Sequence, residues 1–194
     1  VGGAGLIWVG FWLVYYRKPA EQPRVSPAEL ALIQSDPADT ITEIMPMSQI
    51  LATRQAWSFI MGKFFTDMIF RWNINLLPLF FVDHFNLDIK KIGPPFFIIY
   101  LTAGCGSVGG GWLSSALINR GWSINASRKT AMLVCILGIL PVMCTSAVTQ
   151  PWMAVVILSL MMACHQGWSS NLYTSISDMF PKQAVGAVAG IGGT

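Results

Sequence analysis

The sequence predicts an all-α membrane protein, and three observations lead there. Hydrophobic residues make up 54% of the 194 residues and charged residues only 11%, against about 25% charged in ordinary soluble domains. Mean hydropathy is +0.56, so a water-soluble globule of this size would expose more apolar surface than stays dispersed. The apolar residues gather into runs near the ~20 residues that a helix needs to cross a bilayer. The same figures exclude disorder. A net charge of +3, scattered along the chain, excludes a nucleic-acid-binding protein.

Residues 1–16 are apolar and end at Tyr15-Tyr16-Arg17-Lys18-Pro19. Aromatic residues followed by basic ones mark a helix leaving the bilayer, so this stretch reads as the end of a transmembrane helix. Residues 17–55 form the one long polar segment. Within it, Ser26-Pro27-Ala28-Glu29 is a helix start, with Ser26 as N-cap, Pro27 at the first helical position and Glu29 closing a capping box. Leu30, Leu32 and Ile33 give this short helix an apolar side, and a second short helix is expected from Ser48. Residues 56–194 form a transmembrane bundle, with spans at about 57–81, 94–117, 130–148 and 152–177 and a truncated one over 184–194. A basic loop is expected at 119–129. The chain begins and ends inside apolar runs, which predicts a piece of a longer polytopic protein.

The positive-inside rule sets the orientation. Arg17, Lys18, Arg24, Arg54, Arg120, Arg128, Lys129 and Lys182 fall in loops on one side, and Lys90 and Lys91 on the other. The first side is cytoplasmic, which places segment 17–55 there.

The span at 57–81 does not belong in lipid. Lys63, Asp67 and Arg71 recur at four-residue spacing and share one helical face. Three charges at roughly 3 kcal/mol each outweigh twelve Phe, Leu and Ile residues at about 0.5 kcal/mol each. Lys63, near the cytoplasmic end, is expected to snorkel outward. Asp67 and Arg71 are expected to pair with each other in a bundle interior or a wet cavity. Asn73 and Asn75 add polar groups beyond them, and Pro78 predicts a kink near the outer end. Intramembrane charge of this kind marks an ion or solute pathway.

A second polar stripe lies in the span 152–177. Trp168, Asn171, Ser175 and Asp178 fall on one helical face, with His165, Gln166, Ser169, Ser170 and Thr174 crowded beside it. An aromatic ring next to hydroxyls and amides suits a sugar, offering a face for its C–H surface and partners for its hydroxyls. Asp178, at the cytoplasmic end, reads as a gate or loop anchor. The alternative for the whole stripe is hydrogen bonding between helices.

Other constellations point to no chemistry. Cys105, Cys135, Cys144 and Cys164 have no CxxC spacing, and His84 and His165 form no HExxH, so no metal site is expected. No catalytic motif and no cofactor site are found. Gly104-Cys105-Gly106-Ser107-Val108-Gly109 matches a dinucleotide fingerprint, yet it lies inside an apolar span, where small residues let helices approach closely. The sequon Asn125-Ala126-Ser127 falls in the expected cytoplasmic loop.

Several strings carry a resemblance. Gly111-Trp112-Leu113-Ser114, Asn119-Arg120-Gly121-Trp122 and Arg128-Lys129 resemble the loop signature of the major facilitator superfamily, with Ser115 standing where that signature has Asp. RVSPAELALI (24–33), GKFFTD (62–67), GSVGGGWLSSALINRGWS (106–123), SRKTAM (127–132), HQGWSSNLYTSISDMFP (165–181) and AVGAVAGIGG (184–193) are similar to its anion:cation symporter branch, and within it to bacterial hexuronate transporters. The resemblance implies a partial superfamily fold: the end of helix 6, helices 7–10 and the start of helix 11. It implies a cytoplasmic gate at Gly111, Arg120, Arg128 and Asp178, in which the glycine permits close packing.

The implied function is secondary active uptake of a sugar acid with a coupled cation, the proton, by alternating access, in a bacterial inner membrane. The partners are the solute, the bilayer and an N-terminal helix bundle of the same protein. Arg71 is the expected ligand of the solute carboxylate, which a guanidinium engages bidentately. Asn75, Trp168, Ser170 and Asn171 are the expected partners of its hydroxyls and ring. Asp67 and Lys63 are the candidates for charge coupling. A channel or structural bundle, and a membrane-embedded enzyme, are the other readings.

Overall fold

A computed structural model of the chain describes residues 2–22, 25–35 and 45–193. Arg24 lies outside the described residues. Val1–Thr42 and Glu43–Thr194 form two compact units.

In the first unit, α1 spans Gly2–Tyr15. It is apolar all round, and Leu6, Trp8, Leu13 and Tyr15 are exposed. Phe11 stacks on Tyr15 and Trp12 on Tyr16, one turn apart. Helix α2 spans Pro27–Gln34, and the Ser26 hydroxyl accepts from the Glu29 N–H at 3.2 Å.

The second unit comprises α3 (Met47–Leu51), α4 (Arg54–Phe85), α5 (Gly93–Asn119), α6 (Ile124–Ile139), α7 (Pro151–Met179) and α8 (Lys182–Gly192). A 3-10 segment, Leu140–Ala147, continues α6. Helix α4 is capped by the Thr53 hydroxyl, which accepts from the Ala56 N–H. It runs through Pro78 and stops at Asn86, whose φ of 50° breaks the helix. Helix α6 begins inside the segment expected as a loop, because the Ser123 hydroxyl accepts from the Ala126 N–H at 3.3 Å and starts it there. Arg128, Lys129 and the sequon are therefore helical.

Helix α7 is the centre of the unit and packs on α4, α5, α6 and α8. It touches α5 backbone to backbone. A Cβ at Gly106 would overlap the Ala163 backbone, and one at Gly110 would overlap Gly167. This corrects two expectations. Gly111 meets nothing within 4 Å, so Gly110 is the close-packing glycine, and of the fingerprint glycines only Gly106 lies on this seam.

Two apolar clusters fill the unit. One joins Leu77 and Phe81 of α4, Ile99 and Ala103 of α5, and Ala154 to Met162 of α7. The other joins Ile50, Ala56 and Phe59 with Leu172, Ile176, Phe180, Ala184 and Val188. These pairings run α4 antiparallel to α7. They also leave a polar layer at mid-depth, around residues 63–71 of α4 and 165–171 of α7. Outward, α4, α5 and α6 expose large apolar side chains, among them Phe64, Ile69, Phe97, Leu101, Val134 and Leu137. Helices α5, α6 with its continuation, and α7 are long and apolar enough to cross a membrane. Helix α4 has the length, at 32 residues, but carries three charges at its middle.

Candidate functional site

In the polar layer, α4 and α7 enclose a groove of about 460 Å³. From α4 it is lined by Lys63, Asp67 and Arg71, together with Phe70 and Ile74. From α7 it is lined by His165, Gln166, Ser169 and Tyr173.

The charges are arranged differently from the expected pattern. Lys63 does not snorkel; it is 7% exposed. Its Nζ pairs with Asp67 Oδ1 at 2.5 Å and lies 4.7 Å from the centre of the Tyr173 ring. A buried ammonium needs a counter-charge, and the aromatic face adds attraction on the other side. Asp67 is therefore engaged one turn below Arg71 rather than with it. The Arg71 side chain has no hydrogen bond or ion pair among the described residues. It lines this groove and an adjoining opening beside Ile191 and Gly192 of α8. The site thus holds one neutralised ion pair and one exposed cation without a partner among the described residues.

His165 joins the two helices. Its Nε2 lies 3.1 Å from the Thr66 carbonyl oxygen, and its ring stacks on Phe70 at 5.3 Å. A carbonyl only accepts, so Nε2 carries the hydrogen. The side chains of Gln166 and Ser169 make no hydrogen bonds among the described residues, and their amide and hydroxyl are free for a solute.

Of the five expected solute ligands, only Arg71 lines this groove. Asn171 is fully buried; its Nδ2 donates to the Gly110 and Gly167 carbonyls at 2.8 and 2.9 Å. The Ser170 hydroxyl is held by the Ser107 and Gly167 carbonyls. Trp168 packs across Gly62 against the cluster around Phe59 and Leu172. Asn75 is exposed, and its amide donates to the Arg71 carbonyl of its own helix at 2.8 Å. These residues take the interhelical and helix-satisfying roles that polar side chains often have in membranes. The sequence reading missed that Gln166, Ser169 and Tyr173 share a face of their own. The signal was present: Gly167 marks where α5 approaches, so the groove face of α7 lies away from it.

At the C-terminal end of α7, Arg128 Nε donates to Asp178 Oδ2 at 3.0 Å. Its Nη1 donates to Ser114 Oγ at 2.8 Å and reaches Asn171 Oδ1 at 3.5 Å. Ser114 donates in turn to the Gly111 carbonyl at 3.0 Å. Three helices are clamped here by one guanidinium. Asp178, not position 115, supplies the carboxylate, and Ser115 is exposed. Arg120 is exposed at the end of α5 and takes no part in the cluster.

A model of the Major Facilitator Superfamily matches residues 1–194. The chain is 28% identical over 199 residues to the hexuronate transporter of Escherichia coli (strain K12), covering 99% of this chain and 46% of that protein. It is 25% identical over 205 residues to the probable galactarate/D-glucarate transporter of the same organism, covering 98% and 46%. It is 29% identical over 216 residues to the chloroplastic ascorbate transporter of Arabidopsis thaliana, covering 100% and 38%. The chain spans about half the length, or less, of these relatives, which are transporters rather than enzymes by name. With a family match over its whole length and three helices able to cross a bilayer, the chain is an integral membrane protein and belongs to the Major Facilitator Superfamily.

Proposed function

We propose that the full-length protein is a secondary active transporter that takes up a sugar acid together with a proton. The observation that carries this reading is Arg71, a cation without a partner among the described residues, in a groove between the two apolar clusters. An unpaired charge there costs roughly 2.5–3.5 kcal/mol, which an entering carboxylate offsets. Arg71 binds the carboxylate as a fork, and Gln166 and Ser169 across the groove take its hydroxyls. The Lys63–Asp67 pair keeps its own charges balanced and sets the edge of the site. The names of the bacterial relatives, a hexuronate and a galactarate/D-glucarate transporter, support a sugar acid as the solute.

In this reading residues 1–16 end one transmembrane helix, residues 17–55 cross the cytoplasmic face, and residues 56–194 belong to the C-terminal bundle. An N-terminal bundle of the same protein faces the groove, and the two rock to open it to each side in turn. The Arg128–Asp178 clamp holds the cytoplasmic ends of α6 and α7 during that motion, in a bacterial inner membrane.

Counterflow of radiolabelled hexuronate in proteoliposomes carrying the full-length protein tests the reading. Exchange of labelled for unlabelled solute identifies a carrier. Arg71→Gln is expected to lower the rate by at least 100-fold, equivalent to about 3 kcal/mol, with unchanged gel-filtration behaviour in detergent. Normal exchange by that variant removes Arg71 from the site.

A further inference from the structure

Asp67 has two cations within reach, and it takes the one that helix geometry favours less. Lys63 stands four residues before it and Arg71 four residues after it, so each can meet it across one turn. An acid followed by a base at this spacing is the better order on a helix, which favours Arg71. The ion pair is instead to Lys63, at 2.5 Å. Arg71 lines both openings that Asp67 lines, and its side chain keeps no partner among the described residues. A group outside α4 therefore reverses the preference. That group is Tyr173 of α7, whose ring centre lies 4.7 Å from Lys63 Nζ. The ring is itself set in place by an edge contact, 5.7 Å between centres, with the fully buried Phe59.

We propose that Tyr173 is a positioning residue for solute binding: its ring holds Lys63 against Asp67 and so keeps Arg71 open to the solute carboxylate. The proposal rests on the transport reading above, in which Arg71 binds the solute. The physical basis is ordering. A lysine stem gives up rotamer freedom when it enters an ion pair. Over the Tyr173 face that freedom is already spent on a cation–π contact, so pairing with Asp67 costs Lys63 little more. Arg71 is exposed and would lose its own freedom in full. The other polar groups of the groove offer Asp67 no cation: Gln166 and Ser169 are neutral, and His165 is committed to the Thr66 carbonyl. Without the ring, Lys63 is released, Asp67 turns to Arg71, and the guanidinium is neutralised within its own helix. Asp67 has room to turn, its side chain being 34% exposed. An entering carboxylate then competes with Asp67, and its apparent affinity falls in proportion to the fraction of molecules in which Arg71 is still open. A cation–π contact biases such an equilibrium by about 2- to 30-fold, which bounds the loss.

The test is a set of variants of the full-length protein in proteoliposomes, read as the half-saturation and the maximal rate of radiolabelled hexuronate counterflow. Tyr173→Leu keeps an apolar side chain but no ring face. It is expected to raise half-saturation by about 3- to 30-fold, with the maximal rate within about twofold. Tyr173→Phe restores the face and is expected to recover most of that loss. In a Lys63→Met/Asp67→Asn background no carboxylate of α4 competes for Arg71. There Tyr173→Leu is expected to shift half-saturation by less than about twofold relative to that background. The proposal is overturned if Tyr173→Leu has no effect, or if Tyr173→Phe is as poor as the leucine variant. It is also overturned if leucine costs as much in the background without the ion pair, which would make Tyr173 a direct solute contact or a packing residue. Should that background fail to fold in detergent, Asp67→Asn alone serves in its place. If wild type shows no counterflow, or Arg71→Gln exchanges normally, the transport reading itself fails, and the proposal with it.

Discussion

Gly110→Ala collapses the bundle, while Gly111→Ala, one residue on, leaves it intact. At Gly110 the added methyl meets the Gly167 backbone, not a movable side chain. Overpacking of this kind costs about 1–3 kcal/mol. The helices must also separate at the point where the buried Asn171 amide donates to the Gly110 carbonyl, and a stranded buried amide costs about 1–3 kcal/mol more. The sum, roughly 2–6 kcal/mol, rivals the whole stability of many domains. At Gly111 the methyl meets open space, and alanine is the better helix former by up to about 1 kcal/mol. Thermal unfolding of the full-length protein in detergent is expected to show a large loss for the first variant and no loss for the second. Equal behaviour would mean that α5 and α7 do not meet at Gly110.

Arg128→Met removes the clamp at the C-terminal end of α7. It leaves Asp178 without its cation and Ser114 without the donor 2.8 Å away. Ser114 and Asn171 are fully buried, so water does not readily replace the lost donor. Asp178 is partly solvated, and its share is modest for that reason. A destabilisation of about 2–3 kcal/mol is expected, with solute affinity at the mid-depth groove unchanged. Arg128→Lys recovers only the contact to Asp178, because an ammonium lacks the fork that serves two helices. Unfolding midpoints paired with solute titrations check this. Full stability in Arg128→Met would mean that the cluster holds nothing together.

How much of this was legible in the sequence follows from the physics of each signal. Hydropathy and run length report transfer into lipid, and they identified the fold class without tertiary information. The i, i+4, i+8 spacing of Lys63, Asp67 and Arg71 placed them on one face, and they do share one groove. Their pairing was not legible. Electrostatics along a helix permits Asp67 to bond upward or downward, and Tyr173, 106 residues after Asp67, decides it by giving the Lys63 ammonium a second neighbour. Helix α7 was the harder case. It is polar on more than one face, and periodicity says which residues share a face without saying which neighbour that face meets. The stripe from Trp168 to Asp178 has the chemistry of a sugar site, but its amide is consumed by α5 and its carboxylate by Arg128. Gly167, read as a contact point for another backbone, would have excluded Asn171 from the solute site.

In the proposed transporter the α4–α7 groove holds the solute, and a cysteine at Ser169 reports on it directly. Ser169 lines the groove and its hydroxyl makes no hydrogen bond among the described residues, so Ser169→Cys in a full-length background without other cysteines places a thiol on the wall opposite Arg71. The rate of its reaction with a charged methanethiosulfonate reagent is measured with and without saturating sugar acid. The solute is expected to slow labelling at least tenfold, and Arg71→Gln in the same background to abolish the protection. Labelling at one rate in both conditions, by a protein that still exchanges the solute, would place the binding site elsewhere.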